Sequence, residues 1–264
     1  MKEIPFFITG QPRSGTSLIC EIIGQYPKTK SISQPLPLLL YFLSNTFSQQ
    51  QKQSNYYPIT PLFLENEPNQ DAWFSFLANF HISKTKFKEI ALKSQSYSGV
   101  YSPSFLGSHF SDFEGSFFDL IRKTSSFAIK EVFAEDFIPY FLKLKAPTLL
   151  IIRDPRDMIA SLLSGKQMGD LRGFYFHLLM WRKSVAFALN YKSDPNFKFI
   201  LLENLLDDLP FHLTKLERFL GDDKFAKELL KGNLISSQWK SNSNCEDIPH
   251  QKIVKSSDRK DRLT

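Results

Sequence analysis

Apolar positions along the chain switch between two periods. Ile4-Pro5-Phe6-Phe7-Ile8-Thr9 is a short apolar run of strand length, and Gly10-Gln11-Pro12-Arg13-Ser14-Gly15 behind it is a breaker-rich loop. From Thr16 the apolar residues fall at Leu18, Ile19, Ile22 and Ile23, a helical stripe that ends near Gly24. The pattern then blurs. From about Ser44 to Ser126, Gln, Ser, Asn and Gly are mixed with aromatics, with a short helix expected near residues 73–80. Long irregular stretches inside a domain are usually functional loops or mobile segments. Regularity returns with a strand predicted at 127–129, a helix at 134–143 and a strand at 148–152 that is apolar on both faces. Arg153-Asp154-Pro155 turns the chain into a helix at 156–163. Then follow a longer helix at about 174–191, a strand at 197–202, and an amphipathic helix at 209–220 that Gly221 closes. Strands alternating with helices predict an α/β fold: one domain, with a parallel sheet covered on both faces. Its expected extent is residues 1–240, with 44–126 as a loop-rich acceptor or lid region and 241–264 as a polar, basic tail.

Composition narrows the class. The 264 residues are 42% hydrophobic and 23% charged, enough to bury a core without a disulfide or metal staple. Two cysteines, Cys20 and Cys245, exclude a disulfide scaffold and are too few for a zinc site built from Cys. His81, His109, His177, His212 and His250 are scattered and form no HExxH pattern, so no metal is expected. The longest apolar stretch, about Pro35 to Leu43, falls short of the ~20 residues that a membrane helix needs. Met1-Lys2-Glu3-Ile4-Pro5 lacks the apolar region of a secretory signal. The expectation is a soluble, cytoplasmic protein in a reducing compartment. A net charge of +6 favours an anionic partner. The charge is spread along the chain, and the 26 Phe residues form no RNA-binding aromatic pattern, so nucleic acid is not the expected partner.

Two segments carry chemistry. Gly10-Gln-Pro-Arg-Ser-Gly-Thr-Ser17 follows a strand and opens a helix, the context of a phosphate-binding loop. Backbone N–H groups at such a helix start point at the anion, and the helix dipole adds partial positive charge. Against the pattern GxxxxGK[ST] the glycines and final Ser fit, but Thr16 stands at the Lys position and the cation is Arg13 inside the loop. Alone, the segment would also serve as an ordinary βα turn. The second segment runs from Thr148 to Ser161. It puts Arg153 at the end of a buried strand, where α/β sheets bind ligands, and Ser161 eight residues on in the next helix. Together these two can grip a phosphate, though an Arg–Asp pair capping the helix is an equal reading of the residues alone.

Together the two segments resemble the cofactor motifs of sulfotransferases that use 3′-phosphoadenosine 5′-phosphosulfate (PAPS). Pro12-Arg13-Ser14-Gly15-Thr16-Ser17 is similar to the family's 5′-phosphosulfate loop. Arg153 and Ser161 match its 3′-phosphate Arg and Ser in identity and separation. Ile129-Lys130-Glu131 resembles the segment whose Lys approaches the sulfuryl group. Residues 200–205 resemble the later strand with its Glu–x–Leu ending, and Phe219-Leu220-Gly221 the FLG after it. The match spans residues 4–27 and 127–221. It implies in-line transfer of a sulfuryl group from PAPS to a hydroxyl or amine acceptor without a metal, leaving adenosine 3′,5′-bisphosphate (PAP). It implies that Arg13, Ser14, Gly15, Thr16, Ser17, Arg153, Ser161 and Lys240 hold the nucleotide, with Lys240 in a loose match to a C-terminal cofactor loop. Arg13, Lys130 and Glu131 are the expected catalytic residues. The expected acceptor is a small molecule, carbohydrate or lipid; aromatics such as Tyr56, Tyr57, Phe63, Trp73, Phe74, Phe76, Tyr97 and Tyr101 suggest an apolar or ring-bearing one, although packing of the lid is the preferred reading for most of them.

The resemblance has gaps. Gln34 and Val132 stand where two branches of the family carry a base, and Leu202 stands where many members carry a Tyr near the adenine. Glu131, Glu135, Asp136, His81 and His109 are the candidate replacements for the base. Glu131 is placed first, although side chains of neighbouring strand residues point to opposite faces. Trp181 reads as a core residue. Two other functions stay open: a P-loop kinase or NTPase, weakened by Thr16, and a catalytically inactive 3′-phosphonucleotide-binding protein.

Overall fold

The computed structural model describes residues 6–24, 30–33, 35–50, 67–95, 110–124, 127–164 and 171–220. In chain order these form β1 (Phe6–Gly10), α1 (Thr16–Gly24), β2 (Lys30–Ser33), α2 (Pro37–Gln50), α3 (Glu67–Asn79), α4 (Lys84–Gln95) and α5 (Phe117–Lys123). Then come β3 (Phe127–Lys130), a 3₁₀ turn (Glu135–Phe137), α6 (Ile138–Lys143), β4 (Thr148–Ile152), α7 (Pro155–Ser164) and α8 (Leu171–Tyr191). The described part closes with β5 (Phe197–Leu201), α9 (Leu202–Asp207) and α10 (Leu209–Leu220).

The strands form one sheet in the order β2-β3-β1-β4-β5, all pairs parallel. Side chains alternate across it. Phe7, Ile129 and Leu150 face a core shared with α2 to α6 and α8, while Ile8, Ala128, Leu149 and Ile151 face α1, α9 and α10. Both faces are covered, which is why β4 is apolar at nearly every position. The abundant Phe residues fill the first core: Phe7 stacks on Phe141 at 4.0 Å, and Phe47, Trp73 and Phe76 form a cluster. Cys20 is a free, buried thiol within the second core.

Three features depart from the sequence reading. Strand β2 has no counterpart in it, because of its four residues Ile32 alone is apolar; it is an edge strand, paired only to β3. The strand expected at 197–202 ends at Leu201, and Leu202 opens α9. The stretch 44–126 holds more helix than expected: the end of α2, all of α3 extending beyond Trp73, then α4 and α5. Their apolar faces are narrow, as with Phe87, Ile90 and Ala91 on α4, and Ser, Lys and Asn between them hide the period. Helix α5 starts at a capping box, Ser116 and Asp119 bonding reciprocally at 2.9 and 3.2 Å.

The chain runs from β1 to β2 and β3 on one side, then crosses to β4 and β5 on the other. The loops leaving β1 and β4 therefore diverge, and the crevice between their carboxyl ends is where open α/β sheets bind ligands.

Candidate functional site

The loop after β1 forms a cradle at this crevice. Three of its residues have left-handed or unusual backbone: Gly10 (φ 155), Arg13 (φ 67) and Gly15 (φ 92). A Cβ on Gly10 would meet Ile151 O at 2.3 Å, and one on Gly15 would meet Leu202 Cδ1 at 2.6 Å. Gly15 and Leu202 are thus packed backbone against side chain. Ser14 pins the turn, its Oγ donating to Gln11 O at 2.6 Å. The helical ladder begins with Ile19 N–H to Gly15 O at 3.2 Å, so the N–H groups of Thr16, Ser17 and Leu18 project from the start of α1. Thr16 is buried and Ser17 exposed. A positive φ at Arg13, a residue with a Cβ, costs about 1–2 kcal/mol. Such strain persists where the surroundings impose it.

Those surroundings come from the second motif. Arg153 follows β4, is 8% exposed, and its Nη1 donates to Arg13 O at 2.9 Å. Arg13 Nε donates to Ser161 Oγ on α7 at 2.9 Å. Arg13 is thus held, at one end of the sheet, by two side chains that lie 140 and 148 residues further along the chain. Trp181, expected as core, has a further role: its Nε1 donates to Arg153 O at 2.8 Å. Glu203 fixes the same turn by accepting Asp154 N–H at 2.9 Å, and Asp154 pairs with exposed Arg156.

Lys130 ends β3 beside Ile8, is 1% exposed, and donates from Nζ to Ser33 Oγ at 3.3 Å. Burial lowers its proton affinity, partly offset by Cys20 and Glu131. Glu131, equally buried, accepts Leu36 N–H at Oε1 over 2.6 Å. Burial pushes its carboxyl up to about 8, against the opposing pull of the Leu36 bond and Lys130. Burial likewise pushes the Cys20 thiol up to about 11.

Sequence reasoning missed a polar network between the loop and α8. Gln11 Nε2 donates to Glu135 Oε1 at 2.9 Å, Ser184 Oγ at 3.0 Å and Met180 O at 3.2 Å. Ser184 also donates to Glu135, and buried Lys183 pairs with Asp136. The signal is present as Gln11, Ser184 and Lys183 amid apolar neighbours, but it becomes visible only once α8 crosses the end of β1. His81 lies apart from this, exposed and bonded to Glu114 at 3.0 Å. Trp73, Phe74 and Phe76 are buried in the first core. Lys240, Gln34, His109, the tail 241–264, Gly221, and Tyr56, Tyr57, Phe63, Tyr97 and Tyr101 lie outside the described residues.

Fold and site together define an α/β protein with the cationic side chains of Arg13, Lys130 and Arg153 at the carboxyl ends of β1, β3 and β4. Residues 3–261 match the sulfotransferase domain, and the chain belongs to that family. A search of curated proteins finds no match. Among solved structures, the sulfotransferase domain from the curacin biosynthetic pathway is similar at 16% identity and a TM-score of 0.48, over 84% of this chain and 75% of that one. The sulfotransferase domain of the Synechococcus PCC 7002 olefin synthase is similar at 16% identity and a TM-score of 0.47, over 98% and 92%. Retinol dehydratase in complex with androsterone and inactive cofactor PAP follows at 18% identity and 0.45, over 92% and 67%. The family assignment rests on the domain match, not on these likenesses. No helix among the described residues is long and apolar enough to cross a membrane.

Proposed function

We propose that this chain transfers a sulfuryl group from PAPS to a hydroxyl acceptor. The observation that carries the reading is the convergence of Arg13, Ser161 and Arg153 at one end of the sheet, where Arg13 bonds Ser161 and Arg153 bonds Arg13. The N–H groups at the start of α1 with Arg13 would hold the 5′-phosphosulfate; Arg153 and Ser161 would hold the 3′-phosphate. The residues fit the nucleotide: the charged side chains of the loop after β1 and of the end of β4 that meet there, Arg13 and Arg153, are cations. When bound, PAPS supplies an activated sulfuryl group. The protein's part is to position it and to stabilise charge, as in phosphoryl transfer. Arg13 neutralises charge at the bridging, leaving-side oxygen. Lys130, at the end of β3, stabilises the sulfuryl oxygens. The cations are side chains, so the reading needs no metal. The acceptor, a small molecule, carbohydrate or lipid, is assigned to the side of the site built from residues 44–126. Family membership supports transfer chemistry over a kinase reading, as does Thr16 in place of the kinase Lys.

Calorimetric titration with PAP, ATP and AMP, without magnesium, tests this. PAP binds at micromolar level, AMP far more weakly, and Arg153→Ala removes the difference. Binding of ATP alone, and only with magnesium, would return the loop to a kinase function.

A further inference from the structure

The amide between Arg153 and Asp154 belongs to neither of the elements beside it. The last register pair of β4 is Ile152 with Leu201, and the ladder of α7 starts from Asp154 O, which accepts Met158 N–H at 2.9 Å. Asp154 caps that helix: its Oδ1 accepts Arg156 N–H at 2.9 Å, and Pro155 takes the first helical position. Backbone polar groups left out of a ladder need other partners. Two side chains supply them here. Trp181 Nε1 on α8 donates to Arg153 O at 2.8 Å, and Glu203 Oε1 on α9 accepts Asp154 N–H at 2.9 Å.

Both bonds fall on one peptide unit. In a trans peptide the C=O and N–H lie in one plane and point in opposite directions, so a donor on one and an acceptor on the other hold the plane from two sides. The two holders come from helices on opposite faces of the sheet, Trp181 from the face that packs α8 and Glu203 from the face that packs α9. A fixed plane restrains the backbone of Arg153 and with it the direction in which that side chain leaves the turn. Arg153 is 8% exposed, and its Nη1 reaches Arg13 O at 2.9 Å from that one direction. Trp181 supports the partner of Arg153 as well. Its ring packs against Met158, Ile159 and Leu162 of α7, the helix that carries Ser161. Leu202, next to Glu203, lies against Gly15 of the loop after β1.

We propose that Trp181 and Glu203 are positioning residues that clamp the peptide between Arg153 and Asp154 and thereby set the preference for a nucleotide with a 3′-phosphate. The proposal rests on the PAPS reading above, in which Arg153 and Ser161 hold that phosphate. The clamp acts through Arg153, so neither side chain has to touch the nucleotide. A guanidinium already held in the bound direction loses less freedom when the phosphate arrives, and the clamp therefore acts on affinity for the 3′-phosphate. AMP lacks that group. The ratio of PAP to AMP affinity isolates the effect, because a disturbance of the loop after β1 weakens both ligands.

The test uses the full chain, with calorimetric titration of PAP and AMP. Trp181→Phe keeps a ring against α7 and removes the N–H, and the ratio of PAP to AMP affinity falls about 3- to 10-fold. Glu203→Ala lowers the ratio to a similar extent. Glu203→Gln, which keeps an acceptor oxygen without the charge, retains the wild-type ratio. A packing role alone would lower both affinities together. A further measurement needs no variant of the clamp to fold. In proton–nitrogen spectra the indole signal of Trp181, identified through Trp73→Phe and Trp239→Phe, shifts with PAP and stays in place with AMP. A wild-type ratio in Trp181→Phe or Glu203→Ala would overturn the proposal, as would a Glu203→Gln ratio as low as that of Glu203→Ala. So would an indole signal that responds to PAP no more than to AMP. A wild-type protein that binds PAP no better than AMP would instead overturn the PAPS reading, and this proposal with it.

Discussion

Lys130 and Glu131 are adjacent, both almost fully buried, and their surroundings give them opposite duties. Lys130 reaches along the carboxyl edge of the sheet to Ser33, beside the cradle, where a charge that develops on sulfuryl oxygens would lie. Lys130→Ala should therefore lower transfer by about 10²–10³-fold and leave PAP affinity nearly unchanged. Equal losses in single-turnover rate and calorimetric affinity would reduce Lys130 to a binding residue. Glu131 instead holds the chain between β2 and α2 through Leu36 N–H. Its carboxyl is pushed from 4.5 to about 8 by burial, so between these values the folded state binds a proton that the unfolded state releases. The sign follows: this group's contribution to stability is full below about 4.5 and is lost as pH rises towards 8. Thermal midpoints of the wild-type protein should fall as pH is raised from 5 to 8, and Glu131→Gln, which stays neutral, should flatten that part of the curve. An unchanged slope in the variant would show that Glu131 does not carry the effect.

At the scale of elements, α8 ties the parts of the site together. It receives Gln11 from the cradle, holds the Arg153 turn through Trp181, and pairs Lys183 with Asp136 from the 3₁₀ turn after β3. Lys183 is 0% and Asp136 6% exposed, and burial pushes the Asp136 carboxyl up to about 6 even with the ammonium beside it. Removing one partner leaves the other charge buried and uncompensated, which typically costs about 3–5 kcal/mol. Lys183→Ala should accordingly lower stability by that order in urea denaturation. The double change Lys183→Met with Asp136→Leu should recover most of it, because both desolvated charges are then gone. Two additive losses would mean that the pair is not coupled. This layer is the part of the site that the sequence hides. The βα turn with Arg13 and the strand end with Arg153 are legible because each motif is contiguous and sits where period changes from strand to helix. Gln11, Glu135, Lys183 and Ser184 are far apart in sequence, and nothing local says that α8 crosses the end of β1. Strand β2 escapes for a different reason: an edge strand needs only one buried side chain, and four residues with Ile32 alone give no period to read.

For the molecule as a whole, topology decides where charge gathers. Reversal of strand order at β1 opens the crevice between β1 and β4, and the cradle, Arg153 and Lys130 all sit at carboxyl ends of strands. A protein with a net charge of +6 attracts any anion weakly, so charge alone does not distinguish one nucleotide from another. On the proposed reading the cradle does: PAP would meet Arg153 and Ser161 with its 3′-phosphate as well as the start of α1, contacts that AMP cannot make. Binding to the folded state alone raises stability by about 2.7 kcal/mol at a ligand concentration 100 times the dissociation constant. PAP should therefore raise the thermal midpoint well above AMP at equal concentration. On the proposed reading, Ser161→Ala and Arg153→Ala should each bring the PAP shift down towards the AMP value; because both side chains also hold Arg13, the AMP shift of each variant is the reference. Since the cations are Arg13, Arg153 and Lys130, a chelator should leave the PAP shift unchanged. A PAP shift that vanishes with chelator would place a metal ion in the site, and the three side chains would no longer be its sole cations. One that equals the AMP shift would mean that Arg153 and Ser161 serve the turn after β4 and hold no phosphate.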